Sequence, residues 1–289
     1  MTRKSITRNH RSLFVLMIDQ SGSMAEFVGF RGERCSKATV VSHICNSSIQ
    51  ELILRARRDE GVRDYYDVLV LGYSGEGVVE VLGLVDGSPY ISVRDLEALS
   101  LDCREVSSVV NVADGSSSLH SRRIKRWVMP KSSGSTPMHE SLTRVYELVK
   151  EWIESSPDAY PPIVFNITDG ITSDCDLCDL SYISDEIKSL RTTQGEVLLM
   201  NIHISQSSQE ADRVVFPTQD DMKMNRCQYY KALYDTASYM PEEFNDHICK
   251  HLKVSKPAKG CQFKGLGYNT SFSDIFTMLN IGSISVRRS

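Results

Sequence analysis

No apolar run in this 289-residue chain exceeds six residues, Leu13 to Ile18. A membrane-spanning helix needs about 18, so none is expected. The basic start, Met1 to Arg11, precedes that run as a signal peptide would, but six residues fall short of the ~7–15 of an h-region. No small-residue cleavage site follows. Charge of one sign is scarce too: the formal net charge is −4, which gives no general reason to expect nucleic acid or an anionic membrane as partner. Low-complexity tracts and repeats are missing, which excludes fibrous and solenoid architectures. So are the Gly-x-Ser-x-Gly elbow, the phosphate-cradling P-loop and Gly-x-Gly-x-x-Gly, which leaves no nucleophile or nucleotide motif. These absences describe a soluble, cytoplasmic globular protein without an evident catalytic apparatus, whose 8 cysteines are mostly reduced thiols.

What is present is an α/β pattern. Leu13–Ile18, Asp67–Tyr73, Pro161–Ile167 and Glu196–Ile204 are short, continuously apolar segments, as expected of strands buried on both faces. Between the first two, Val40, Val41, Ile44, Cys45, Ile49, Leu52 and Ile53 recur at helical spacing. The turn Ser74-Gly-Glu-Gly77 is too short for a parallel crossover, so Val78–Leu82 is expected as an antiparallel edge strand. Helices are expected over Arg94–Leu101, from Met138 through Ile153, and over Asp179–Leu190, Tyr229–Ser238, Glu242–Leu252 and Phe272–Leu279. Pro137 suits a first helical position, which would make Thr136 an N-cap. Asp86 to Pro130 is the least regular stretch, with Asp114–Ser118 its expected tip. Arg122-Arg-Ile-Lys-Arg126 and Arg55-Ala-Arg-Arg58 read either as solvated faces or as docking patches. Strands alternating with helices give a doubly wound, mostly parallel sheet with helices on both faces.

The chemistry lies where the strands end. The first stops in Asp19-Gln-Ser21-Gly-Ser23, one carboxylate and two hydroxyls at alternate positions. Alone, such a triplet arises by chance in roughly one chain in ten of this length. Here the strand Pro161–Ile167 also ends in an oxygen-rich loop, Thr168-Asp169-Gly170, and a Gly134-Ser-Thr136-Pro loop opens the helix between them. In a doubly wound sheet such loops gather around one crevice. Asp19, Ser21, Ser23, Thr136 and Asp169 are hard oxygen donors, suited to Mg²⁺, Mn²⁺ or Ca²⁺ and poorly suited to soft metals.

In identity, order and approximate spacing these five positions resemble the metal-ion-dependent adhesion site of von Willebrand factor type A (vWA) domains. The runs Trp127–Pro130, Tyr160–Gly170, Gly195–Ile204, Gly267–Thr270 and Phe276–Ser283 resemble one subgroup, the bacterial intracellular vWA proteins of tellurite-resistance and stress-response systems. The first ten residues and Ser100 to Arg126 match nothing in it. The resemblance implies a six-stranded sheet with one antiparallel edge strand. It implies a single domain over residues 11–289, after a basic segment of residues 1–10 and with an irregular insertion at about residues 100–130. It also implies a metal held by the hydroxyls of Ser21, Ser23 and Thr136, with Asp19 and Asp169 binding directly or through water. A partner protein would complete the metal shell with an acidic side chain. For the subgroup, that partner belongs to stress or defence signalling, alongside a serine/threonine kinase or a 2C-type phosphatase.

Weaker signals remain. Cys175-Asp-Leu-Cys178 and His247-Ile-Cys-Lys-His251 together mimic a zinc ligand set, but about seventy residues separate them, so they read as ordinary thiols and histidines, with zinc or a redox pair as the alternatives. His139 and Asp174 are the two candidate bases for a metal-assisted hydrolase, the rival to a non-enzymatic binding module.

Overall fold

Strand β1 (Ser12–Asp19) is buried along its whole length, and its side chains alternate between two hydrophobic clusters. Phe14, Leu16 and Ile18 enter one, Leu13, Val15 and Met17 the other. This is the period-2 geometry of a strand covered on both faces. The computed structural model describes residues 10–30, 32–99, 102–111, 117–170, 172–204, 213–219, 221, 227–258 and 260–282. Residues 1–9 of the expected basic segment, and most of the expected tip at Asp114–Ser118, lie outside them.

The other strands of the central sheet are β2 (Tyr66–Ser74), β3 (Gly77–Glu80), β4 (Ile91–Ser92), β5 (Tyr160–Thr168), β6 (Leu198–His203), β7 (Val214–Val215) and β8 (Leu266–Tyr268). Their order is β7-β8-β6-β5-β1-β2-β3, with β4 also paired to β2. Five of them, β8, β6, β5, β1 and β2, run parallel. On one face lie α1 (Lys37–Ala56), α2 (Val93–Ala98), α6 (Asn245–Leu252) and α7 (Phe272–Gly282); on the other lie α3 (Met138–Ser155) and α4 (Leu177–Ser189). A fifth helix, α5 (Gln228–Thr236), packs with Leu266 of β8. Every helical-spacing residue named above between Val40 and Ile53 is buried in the first cluster. Among the described residues no helix is long and apolar enough to cross a membrane.

The fold class is the expected one, but the strand count is not. The described residues form an eight-stranded sheet with antiparallel pairing at both edges, where six strands and one antiparallel edge were expected. The added strands, β4 and β7, have two residues each, too few to show a period. β4 pairs with Asp67 and Val68 of β2, while β3 pairs with Leu71 to Ser74, so two segments share one edge. The insertion is also regular: Asp102–Asn111 and Ser117–Arg126 form a ten-pair antiparallel hairpin outside the central sheet. Neither alternate set of residues in those strands is consistently apolar, which hid them from a periodicity test.

One buried amide ties this insertion to the domain. Asn46 of α1 accepts through Oδ1 from the backbone N–H groups of Trp127 (2.7 Å) and Val128 (2.9 Å), and its Nδ2 donates to the Val128 carbonyl at 2.8 Å. The Ser42 hydroxyl donates to the same carbonyl at 2.6 Å, and Trp127 Nε1 donates to Leu96 O. The chain entering the Thr136 loop is thus hung from α1 and α2. Asn46→Ala would strand two buried amides, while Ser42 still serves the Val128 carbonyl, at a cost of about 2–4 kcal/mol. Urea denaturation followed by tryptophan fluorescence should show the loss.

Candidate metal centre

The crossover from β1 through α1 places β2 on one side of β1, whereas the chain leaving α3 places β5 on the other. Strand order therefore reverses between β1 and β5, and a crevice opens beyond their C-terminal ends. Asp19 ends β1 and Asp169 follows β5. The third loop, which carries Thr136, is laid across this gap by backbone bonds. Ser133 N donates to Gln20 O (2.7 Å), Gly22 N to Gly134 O (2.9 Å) and Gly75 N to Ser133 O (3.2 Å). Gly134 adopts φ +67°, and a Cβ on it would stand 2.7 Å from Gly75 Cα. Only glycine fits there.

The oxygen side chains of these loops lie close together. Ser21 and Ser23 hydroxyls are hydrogen-bonded at 3.1 Å, and Ser23 Oγ donates to Asp169 Oδ1 at 2.6 Å. Asp19, fully buried, accepts from the Ser21 amide through Oδ1 (2.8 Å) and from the Thr168 hydroxyl through Oδ2 (2.8 Å). Thr136 Oγ1 and Ser23 Oγ both lie over Gly170, 3.8 and 4.0 Å from where a Cβ would stand. Ser173 fixes the Thr136 backbone from both sides: its Oγ accepts from Thr136 N (2.9 Å) and its N donates to Thr136 O (3.0 Å). Three hydroxyls and two carboxylates from three loops fit a hard divalent cation.

Burial and charge act strongly on these groups. Burial raises the Asp19 pKa, against the lowering effect of its bonds from Ser21 and Thr168, and repulsion from Asp169 adds to the rise. Lys37, the first residue of α1, is almost wholly buried. Its ammonium donates to Asp169 Oδ2 at 2.7 Å and to Glu26 Oε2 at 2.6 Å. Burial alone would lower its pKa, but the bonds to Asp169 and Glu26 outweigh that and raise it. His203, at the end of β6, stacks on Tyr268 with ring centroids 4.5 Å apart. Burial holds its pKa down to about 4, with Asp169 opposing and Lys37 reinforcing the shift. Tyr229 closes the same side, donating its hydroxyl to the Gly170 carbonyl.

One expectation fails here. Thr136 is not the N-cap of α3: Asp174 accepts from the amides of His139 (3.1 Å) and Glu140 (2.9 Å), while Met138 and Ser141 donate to Thr136 O and Pro137 O. The first turn is satisfied by a residue 35 positions downstream, a tertiary contact that no local motif encodes. The Cys175/Cys178 and His247/His251 pairs form no common ligand set among the described residues. Among the described residues, no three His, Cys, Asp or Glu side chains are placed to hold a metal. His247 is exposed, and His251 Nε2 lies 3.8 Å from Asp274 Oδ1. Lys37, Glu26 and Ser173 were passed over in the sequence. Lys37 had one available signal, a cation in the first turn of an apolar helix, where the helix dipole disfavours it.

No protein-family model matches the chain, and no curated protein sequence matches it. Among solved structures it is similar to a von Willebrand factor type A protein from Catenulispora acidiphila, at 13% identity and a TM-score of 0.39, covering 68% of this chain and 33% of that one. It is similar to the three N-terminal domains of the type V pili tip protein Mfa5 from Porphyromonas gingivalis, at 13% identity and a TM-score of 0.29, covering 56% and 20%. A third is an uncharacterized membrane spanning protein from Vibrio fischeri, at 15% identity and a TM-score of 0.29, covering 68% and 71%. The chain thus spans a third or less of the first two. None of these overlaps bears on the chemistry of the site, which its own geometry defines.

The Asp174 cap makes a measurable demand. Burial pushes its pKa up, but bonds from the Thr172 hydroxyl and the Glu140 and His139 amides prevail and leave it lowered. Its contribution is therefore present above the ordinary aspartate pKa and is lost as pH falls through the lowered folded value. Asp174→Ala should cost about 1 kcal/mol at neutral pH. Thermal melts of the two proteins should converge as the pH is taken below ~3.

Proposed function

We propose that this chain is a metal-dependent protein-interaction module, in which Asp19, Ser21, Ser23, Thr136 and Asp169 hold Mg²⁺, with Mn²⁺ or Ca²⁺ as alternatives. The observation that carries the reading is the Ser21–Ser23–Asp169 chain of bonded oxygens, joined from a third loop by Thr136. A bound Mg²⁺ supplies a positive centre that an acidic side chain of a partner can reach. The protein's own part is to position hydroxyls that add no charge, so that the two carboxylates do not over-neutralise the ion. Asp19 is held rigid by its two accepted bonds, Asp169 by Ser23 and Lys37, and Thr136 by Ser173.

A hydrolase would need a base free to take a proton from water. Of the two candidate bases, Asp174 spends both oxygens on the backbone amides of His139 and Glu140. This favours binding over catalysis. The resemblance in sequence extends the proposal to a cytoplasmic role in bacterial stress or defence signalling, with a serine/threonine kinase or a 2C-type phosphatase among the candidate partners.

The test is a pull-down from host lysate with Mg²⁺ and again with EDTA. Asp19→Ala and Thr136→Ala should each abolish the Mg²⁺-dependent capture while leaving the circular dichroism spectrum unchanged. Capture indifferent to EDTA and to both substitutions would move the interface elsewhere.

A further inference from the structure

Lys37 is an anomaly on two counts. Its side chain is 4% exposed, and lysine is almost never fully buried unless paired. It also starts α1, where the helix dipole disfavours a cation. The chain accepts both penalties to place one ammonium between Glu26 and Asp169. The two oxygens of Asp169 consequently face different ways, Oδ1 to the Ser23 hydroxyl and Oδ2 to Lys37. Asp19 and Asp169 repel one another, and Lys37 is the ammonium seated directly on that pair of loops. With Glu26 counted, three carboxylates and one ammonium leave two formal negative charges, the complement of one divalent ion.

We propose that Lys37 is the resident counter-cation of this site, a positioning residue that holds the Asp169 loop in register with the Asp19 loop whether or not a divalent ion is bound, and that weakens the binding of that ion. The inference rests on the metal-binding reading above. Its physical basis is that a fixed charge beside Asp169 does part of the neutralising that the ion would otherwise do, and repels the ion through a partly desolvated medium. Loop assembly and ion binding are thereby uncoupled, so the ion can come and go without the loops unfolding.

The experiment uses the full chain stripped with EDTA and compares wild type, Lys37→Met and Lys37→Arg by thermal melting and by calorimetric titration with MgCl₂. Without metal, Lys37→Met should melt roughly 5 °C or more below wild type, as a buried partner of Asp169 is lost. It should bind Mg²⁺ at least ~10-fold more tightly, and Mg²⁺ should raise its melting temperature further than that of wild type. Lys37→Arg should bind as wild type does. Should Lys37→Met not fold, Lys37→Gln, which keeps a donor, carries the same test with the same expected direction. Equal or weaker Mg²⁺ binding in the neutral variant, with wild type still binding, would overturn the counter-cation role alone. Failure of every variant and of wild type to bind Mg²⁺, Mn²⁺ or Ca²⁺ in the same titration would overturn the metal-binding reading, and this inference with it.

Discussion

Two carboxylates that repel one another stand at the ends of adjacent parallel strands, and much of the surrounding structure manages that repulsion. Asp19 and Asp169 terminate β1 and enter the loop after β5, where strand order reverses. Neutral donors take up the load first: the Ser21 amide and Thr168 hydroxyl on Asp19, and the Ser23 hydroxyl on Asp169. Lys37 supplies the compensating charge from the start of α1. The sheet brings the carboxylates together because continuous apolar strands are stable only when covered on both faces, and the helices that cover them fix which strand ends are neighbours.

Precision at the site comes from contacts outside it. Ser173 clamps the Thr136 backbone, and Asp174 caps the helix that Thr136 precedes. Asn46 hangs the segment that feeds the Thr136 loop, and Tyr229 fixes the Gly170 carbonyl. A hydroxyl carries no charge to pull it into place, so its backbone must be held by others.

The fold class and the five candidate donors were legible in the sequence because their signals are local. A strand buried on both faces is a run of apolar residues, and a ligand loop is a short pattern of oxygens and glycines. What escaped was non-local or too short. β4 and β7 have no measurable period, and the hairpin of Asp102–Asn111 with Ser117–Arg126 lacks a uniformly apolar set. Asp174 caps a helix from 35 residues away, so the nearer Thr136 took its place in a local reading. Lys37 looked like an ordinary helix residue, because only the fold brings Asp169 to it across 132 positions.

The close approach of Gly75 and Gly134 has a mechanical meaning. The two residues meet backbone to backbone, and Gly75 N is bonded to Ser133 O. No side chain intervenes to give way. The turn between β2 and the edge strand β3 and the loop that presents Thr136 therefore share one backbone contact. The edge hairpin thus borders the backbone of the Thr136 loop directly as well as closing the sheet.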